Sequence, residues 1–236
     1  MPELDPRDRD SLQQALQSAG DARALLLVAH ADEASRGQPG HAFVADVLRA
    51  NGFATLPFCL KTPSESAAGT RRPGMRRSQQ YIHAVCDWLA QQPALAGRPV
   101  ALLGLGEAVR PCIAAAAGQH PAVLRSLLLL DGRADQLPHH LLKLNLPTLF
   151  VLGRCDARRL VRHSAALRDM PAGHRLEMLH LPTEPQPAPG ALEAFACMAR
   201  AWLESTLLRP GPSMHGGGAG RTAALAQVSL CNPEPI

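Results

Sequence analysis

The residues best placed to do chemistry lie in ALLGLGEAVRPCIAAAAG, residues 101–118. An apolar run, two closely spaced glycines and an alanine-rich segment spell a buried strand, a tight turn and a helix. Turns of this build present a nucleophile or cradle a phosphate. Three readings of Gly104-Leu105-Gly106-Glu107-Ala108-Val109 are open. As a dinucleotide site it begins G-x-G, and Asp131 ends the following strand; Val109 then stands where a third glycine would let the helix close on the sheet. As a nucleophile elbow, G-x-S-x-G, it matches at Gly104, puts Gly106 in the nucleophile's place and Ala108 in that of the last glycine. As a plain strand-to-helix turn it requires no chemistry.

Other reactive side chains carry bland readings. Cys112 lies about one and two-thirds helical turns beyond Gly106, which suits packing better than attack. Cys155 reads as a small hydrophobe, and His180 falls inside a strand pattern. His139-His140 follows Pro138 at a solvated helix start. RRPGMRR (71–77) reads as a solvated loop that could meet phosphate or an acidic partner, and GGGAG (216–220) lacks the Lys-Ser/Thr of a phosphate loop.

These residues need elements to hold them. ARALLLVAH (22–30), FATLPFCL (53–60), RPVALLGLG (98–106), VLRSLLLLD (123–131), LPTLFVLGRCD (146–156) and RLEMLHL (175–181) are short apolar runs of the kind that form buried parallel strands. Helical spacing occupies 41–52, 81–92, 107–119, 158–169 and about 190–207. Alternation of strand and helix predicts an α/β fold with a doubly wound, mostly parallel sheet and helices on both faces. We expect a polar N-terminal segment over 1–20 holding at most a short amphipathic helix, a domain over 21–208 and a disordered tail over 209–236, where proline and a Gly-Gly-Gly run replace periodicity. Residues 61–78 read as a loop.

Composition narrows the classes. The 236 residues are 46% apolar and only 3% aromatic, so the core must be leucine, alanine and valine. A formal charge of +4, with arginine scattered, gives no footprint for nucleic acid. Six cysteines without a C-x-x-C pair suit a reducing cytoplasm. The charged start MPELDPRDRD lacks a signal-peptide core, and no apolar run approaches the ~18 residues of a membrane span. A cytoplasmic protein without membrane or nucleic-acid partners is expected.

Taken together, the motifs resemble the dienelactone-hydrolase-like branch of the α/β hydrolases over roughly residues 23–207. His30, Ser35, Arg36 and Pro39 in AHADEASRGQP match the exit of that family's first strand. LKTPSE (60–65), DWLAQQPALAGRPVALLG (87–104), DGRADQL (131–137), LPTLFVLGRCD (146–156) and PGALEAFACMARAWL (189–203) match successive segments. The resemblance implies that residues 104–108 are the elbow and that Asp156 stands in the place of the triad acid.

The same resemblance exposes departures. The family's His-Gly becomes His30-Ala31, and the small residues shaping its oxyanion hole become Asp32 and Glu33. Its nucleophilic serine becomes Gly106, followed by Glu107, and Glu184 follows Thr183 where a histidine is due. The pocket or oxyanion region is thus expected at His30, Ala31, Asp32, Gly106 and Glu107, with no metal and no cofactor. A serine-type mechanism needs nucleophile, base and oxyanion donors, so a catalytically impaired pseudo-hydrolase that binds a small molecule or a protein partner is the leading expectation. The alternative is an active hydrolase of small esters or lactones in which Asp156 and Glu184 activate water directly and amides near Ala31 and Glu107 hold the oxyanion. A nucleotide-binding domain built on Gly104 and Gly106 is a third reading. Asp32, Glu107, Asp156 and Glu184 could also gather a cation, unless they turn to solvent or pair with arginines.

Overall fold

The apolar run Ala24–His30 has no polar face to offer water, and it becomes strand β1 with every residue buried. In a computed structural model of the chain, residues 4–69, 74–95, 97–118, 121–153, 157–171, 173–179 and 189–208 are described. Their elements run α1 (Pro6–Gln17), β1, α2 (Glu33–Arg36), α3 (Pro39–Ala50), β2 (Phe53–Cys59), α4 (Pro63–Ala67), α5 (Met75–Ala90), β3 (Val100–Leu105), α6 (Val109–Ala116), β4 (Leu124–Leu130), α7 (Pro138–Leu141), β5 (Thr148–Leu152), α8 (Ala157–Leu167), β6 (His174–Met178) and α9 (Pro189–Leu203).

The strands form one sheet in the order β2-β1-β3-β4-β5-β6, with each described pairing parallel. The two-residue alternation of strand side chains splits the core into two layers. Leu25, Leu27, Leu102, Leu127 and Phe150 join Leu12 and Leu16 of α1, Val85 and Leu89 of α5 and Ile113 of α6 on one face. Leu26, Leu103, Leu128 and Val151 join Val44 and Leu48 of α3 and Phe195 and Ala199 of α9 on the other. The expected α/β architecture, doubly wound with helices on both faces, is therefore present. Among the described residues no helix is long and apolar enough to cross a membrane.

Two local expectations need correction. The stretch 61–78 is not all loop: α4 forms at Pro63–Ala67, and α5 begins at Met75. Arg77, in its first turn, donates to the Leu60 carbonyl and to Glu65 at 2.8 and 2.9 Å. Residues 70–73 lie outside the described residues, as does the expected tail at 209–236. The N-terminal segment is likewise no bystander. Asp5 caps α1 by accepting the Arg7 amide at 3.0 Å, and Leu12 and Leu16, one helical turn apart, reach the core.

Asp8 is buried on the same helix, where an unsatisfied charge would be costly. It accepts the Tyr81 hydroxyl of α5 at 2.7 Å and the Cys59 amide at the end of β2 at 3.2 Å. Tyr81 in turn accepts the Asp5 amide at 3.1 Å. Burial pushes the Asp8 carboxyl above the usual carboxylate range, even though Tyr81, the Cys59 amide and Arg36 pull against it. This polar lock ties α1 to the sheet. Tyr81→Phe removes the donor and should cost about 1–3 kcal/mol in urea unfolding. Faster amide exchange in α1 than in β3 should accompany it; unchanged stability would show that the lock does not matter.

Candidate functional site

Strand β3 is buried along its whole length, so the chain leaving it must turn within a crowded core. Gly104 makes room. A Cβ there would lie 2.9 Å from Cys112 Sγ and 3.2 Å from Val109 Cα, because α6 folds back directly over the strand. Gly106 then turns the chain with φ +55°, in the left-handed region that glycine enters without penalty. A 3₁₀ turn over Gly106–Ala108 leads into α6, with Ala108 and Val109 buried. The expected conflict between Val109 and the neighbouring strand is resolved from the other side. Gly132, just past β4, leaves the space that Val109 occupies, and a Cβ on it would fall 2.1 Å from Val109 Cβ.

Sheet order places this turn at a crossing point. From β1 the chain winds outward to β2, while from β3 it winds the other way to β4, β5 and β6. The carboxyl ends of β1 and β3 flank the crevice where α/β sheets of this kind bind ligands. A cavity of about 1330 Å³ opens there, and its wall includes His30 and Ala31 after β1, Gly106 and Glu107 after β3, and Asp131 after β4. A Cβ at Gly106 would meet no atom within 4 Å, so the missing side chain leaves open space on the cavity floor.

Of the expected pocket residues, His30, Ala31, Gly106 and Glu107 share the wall of one cavity. Asp32 does not join that wall. It caps α2 by accepting the Ser35 amide at 2.9 Å, and its other oxygen accepts Lys61 Nζ at 2.9 Å. Burial alone would raise the Asp32 carboxyl, but the Lys61 ammonium and the Ser35 amide outweigh it and hold the group below its usual range. Asp156, Glu184, Cys155 and His180 lie outside the described residues. The four-carboxylate cation pocket therefore has one member engaged elsewhere and two beyond description. Among the described residues, only Asp8, Glu33 and Cys59 form a group of three whose ligand-type atoms lie within 4.8 Å of one another, and they sit under α1. Neither of the described cysteines nearest these walls is prepared as a thiolate: Cys112 is buried with its thiol pushed up, and burial, with Glu33 and Asp8, pushes Cys59 up to about 12.

His30 is the most perturbed polar group in the wall. It is 3% exposed, and its Nδ1 is sealed from solvent without a partner. Burial drives its imidazole down to about 3; His41 and Arg36 act the same way, and Asp32 opposes them weakly. The His41 ring lies 5.2 Å away, centroid to centroid, at 47°. Opposite them Asp131 adopts φ +55° and forms an ion pair with Arg159 of α8 at 2.9 Å. Nearby, Asp135 takes both arms of Arg133 at 3.0 and 2.9 Å and faces buried His163 at 3.5 Å. These α8 partners of the DGRAD turn and the approach of His41 to His30 escape sequence reading, since both depend on helices far from the strands in the chain. The only sequence trace is the α8 run ARRLVRH, whose arginines and histidine recur at helical spacing.

No protein-family model matches the chain. Among solved structures, dienelactone hydrolase from Anabaena variabilis ATCC 29413 is similar with a TM-score of 0.71 at 26% identity, over 80% of this chain and 88% of that one. The esterase domain of a Rhodothermus marinus protein (TM-score 0.60, 14% identity, 80% of this chain and 89% of that one) shares the fold. So does Est1E from Butyrivibrio proteoclasticus (0.62, 13%, 82% and 92%). Two Mycobacterium tuberculosis proteins, from strains CDC 1551 / Oshkosh and ATCC 25618 / H37Rv, carry the name phosphoribosyl transferase. Each is 31% identical over 191 residues, which is 81% of this chain and 43% of theirs. The chain thus spans less than half the length of these curated relatives.

Two measurements probe the site's construction. Gly132→Ala should cost about 1–3 kcal/mol by overpacking against Val109. Combined with Val109→Gly, it should cost less than the sum of the single changes, whereas strict additivity in a double-mutant cycle would show that the contact is not limiting. The second concerns His30, whose folded value lies below its ordinary 6.5. Between about 3 and 6.5 the unfolded chain binds the extra proton, so stability rises with pH across that window and is lost on acidification. From pH 7 to 5 the wild type should lose about 2 kcal/mol more than His30→Phe in urea unfolding; parallel losses would refute this.

Proposed function

Starting from its kinship with the dienelactone-hydrolase-like proteins of the α/β-hydrolase superfamily, we propose that this chain is a pseudo-hydrolase, one that binds a small molecule in the cavity over Gly106 without cleaving it. The observation that carries the reading is Gly106 itself. It occupies the elbow after β3 with φ +55°, faces open space, and brings no atom that could attack a carbonyl. A covalent acyl-enzyme needs an oxygen or sulfur at that point. The nearest described thiol along the chain, Cys112, lies beneath Gly104 and away from solvent. Loss of a triad acting as a unit typically costs on the order of 10⁶ in turnover.

On this reading the chain, which matches 43% of the Mycobacterium tuberculosis relatives named phosphoribosyl transferase, does not itself transfer a phosphoribosyl group. The chain would contribute a binding module of hydrolase shape, acting in a cytoplasmic setting. Purified protein should hydrolyse p-nitrophenyl acetate, p-nitrophenyl butyrate and δ-valerolactone no faster than a heat-denatured control, and a fluorophosphonate probe should label no serine. Turnover that disappears in Asp156→Ala would overturn the proposal in favour of direct water activation by Asp156 and Glu184.

A further inference from the structure

The cavity contains a group whose chemistry is unspent. Among the described residues neither ring nitrogen of His30 meets a hydrogen-bond partner, although the side chain is almost wholly buried in the cavity wall. A buried polar group left unmade costs about 1–3 kcal/mol, and native structures rarely tolerate one unless something else completes it. His41 does not complete it. Its Nδ1 is committed to the Ser35 carbonyl at 2.7 Å, and its ring meets His30 as a tilted aromatic neighbour.

The surroundings narrow what could complete His30. Arg36 stands 3.8 Å from Asp8 and 3.7 Å from Glu33 and donates to Ser11 at 2.5 Å. Asp131 is held by Arg159, and Glu107 lies within the field of Arg133. Among the described residues, these positive and negative groups around the mouth thus compensate one another. Most of the remaining wall is apolar, with Leu103, Leu105, Leu192 and Phe195 among its residues. The ring's own protonation follows from its burial. Nδ1 is the sealed nitrogen, and an unused acceptor is tolerated more often than an orphaned N–H. The proton therefore belongs on Nε2, which leaves Nε2–H as a donor toward the cavity.

We propose that the cavity takes an uncharged ligand with an apolar body and one acceptor oxygen, read by the His30 imidazole through Nε2–H. This rests on the binding reading above, but it names the recognising side chain and the ligand's charge, which that reading leaves open. An anionic ligand could accept from Nε2–H, but it would bury its charge in a mainly apolar wall against an imidazole that brings no counter-charge. A cationic ligand would face the Nε2–H donor end-on. An uncharged oxygen meets neither obstacle, and its apolar remainder displaces water from the leucine-lined wall.

The test uses a matched set of nine-carbon probes with the full chain: 2-nonanone, nonanoate and nonylammonium. Titration with histidine-labelled protein should show 2-nonanone binding more tightly than either ion, with the His30 ring ¹⁵N resonances moving as the site fills. His30→Phe keeps an aromatic ring but removes the donor, and should weaken 2-nonanone by about fivefold, the worth of one neutral hydrogen bond. Equal or tighter binding of either ion, unmoved His30 resonances at saturation, no binding of the ketone at its solubility limit, or unchanged ketone affinity in His30→Phe each overturns the proposal. A ketone cannot be hydrolysed, so these readouts stand apart from the ester assay. Turnover there would remove the pseudo-hydrolase reading while leaving His30 to be judged by its own resonances.

Discussion

The close approach of α6 to β3 is the constraint on which the site depends. Three glycines make it possible in different ways. Gly104 yields the volume that Cys112 fills, Gly132 yields the volume that Val109 fills, and Gly106 supplies a left-handed turn between strand and helix. Where a side chain would collide, glycine is a packing requirement. At Gly106 nothing collides, so there glycine serves the backbone conformation alone. Packing thus requires glycine at 104 and 132, while backbone conformation alone accounts for it at 106.

Because the sheet reverses its winding between β1 and β3, this turn opens onto a crevice instead of a filled core. Among the described residues, several charges in and near the crevice are paired. Asp131 is answered by Arg159, Asp32 by Lys61, and Arg36 by Asp8 and Glu33. Hydrolases of this fold keep an acid and a base at different protonation states so that a proton can move between them. Here the one strongly perturbed group in the described wall is a histidine held neutral by burial.

The polar lock under α1 belongs to the same economy of buried charge. Asp8 sits where the strand β2 ends and α2 begins, and it recruits Tyr81, the Cys59 amide and Arg36. Arg36 also reaches the cavity wall, so the anchoring of the first helix and the wall of the binding site share a residue. A helix whose mean character is polar is thereby made part of the domain.

The sequence by itself determined the strands and their order of alternation with helices, because an apolar run of seven residues such as Ala24–His30 has only a two-sided burial open to it. It also determined the tight strand-to-helix turn at residues 104–108, since glycine spacing after a buried strand is a local signal. The helix at α1 was harder to read because its buried face is two leucines and a charged Asp8, a pattern that gains meaning only when Tyr81 and Cys59 arrive from 73 and 51 residues away. Only the tertiary structure decided which charges meet. It removed Asp32 from the cavity by giving it Lys61, set Arg159 against Asp131, and left His30 Nδ1 without a partner among the described residues. Side-chain identity and spacing specify a strand or a turn within a few residues, but the pairing of a buried charge is settled by whichever distant element packs beside it.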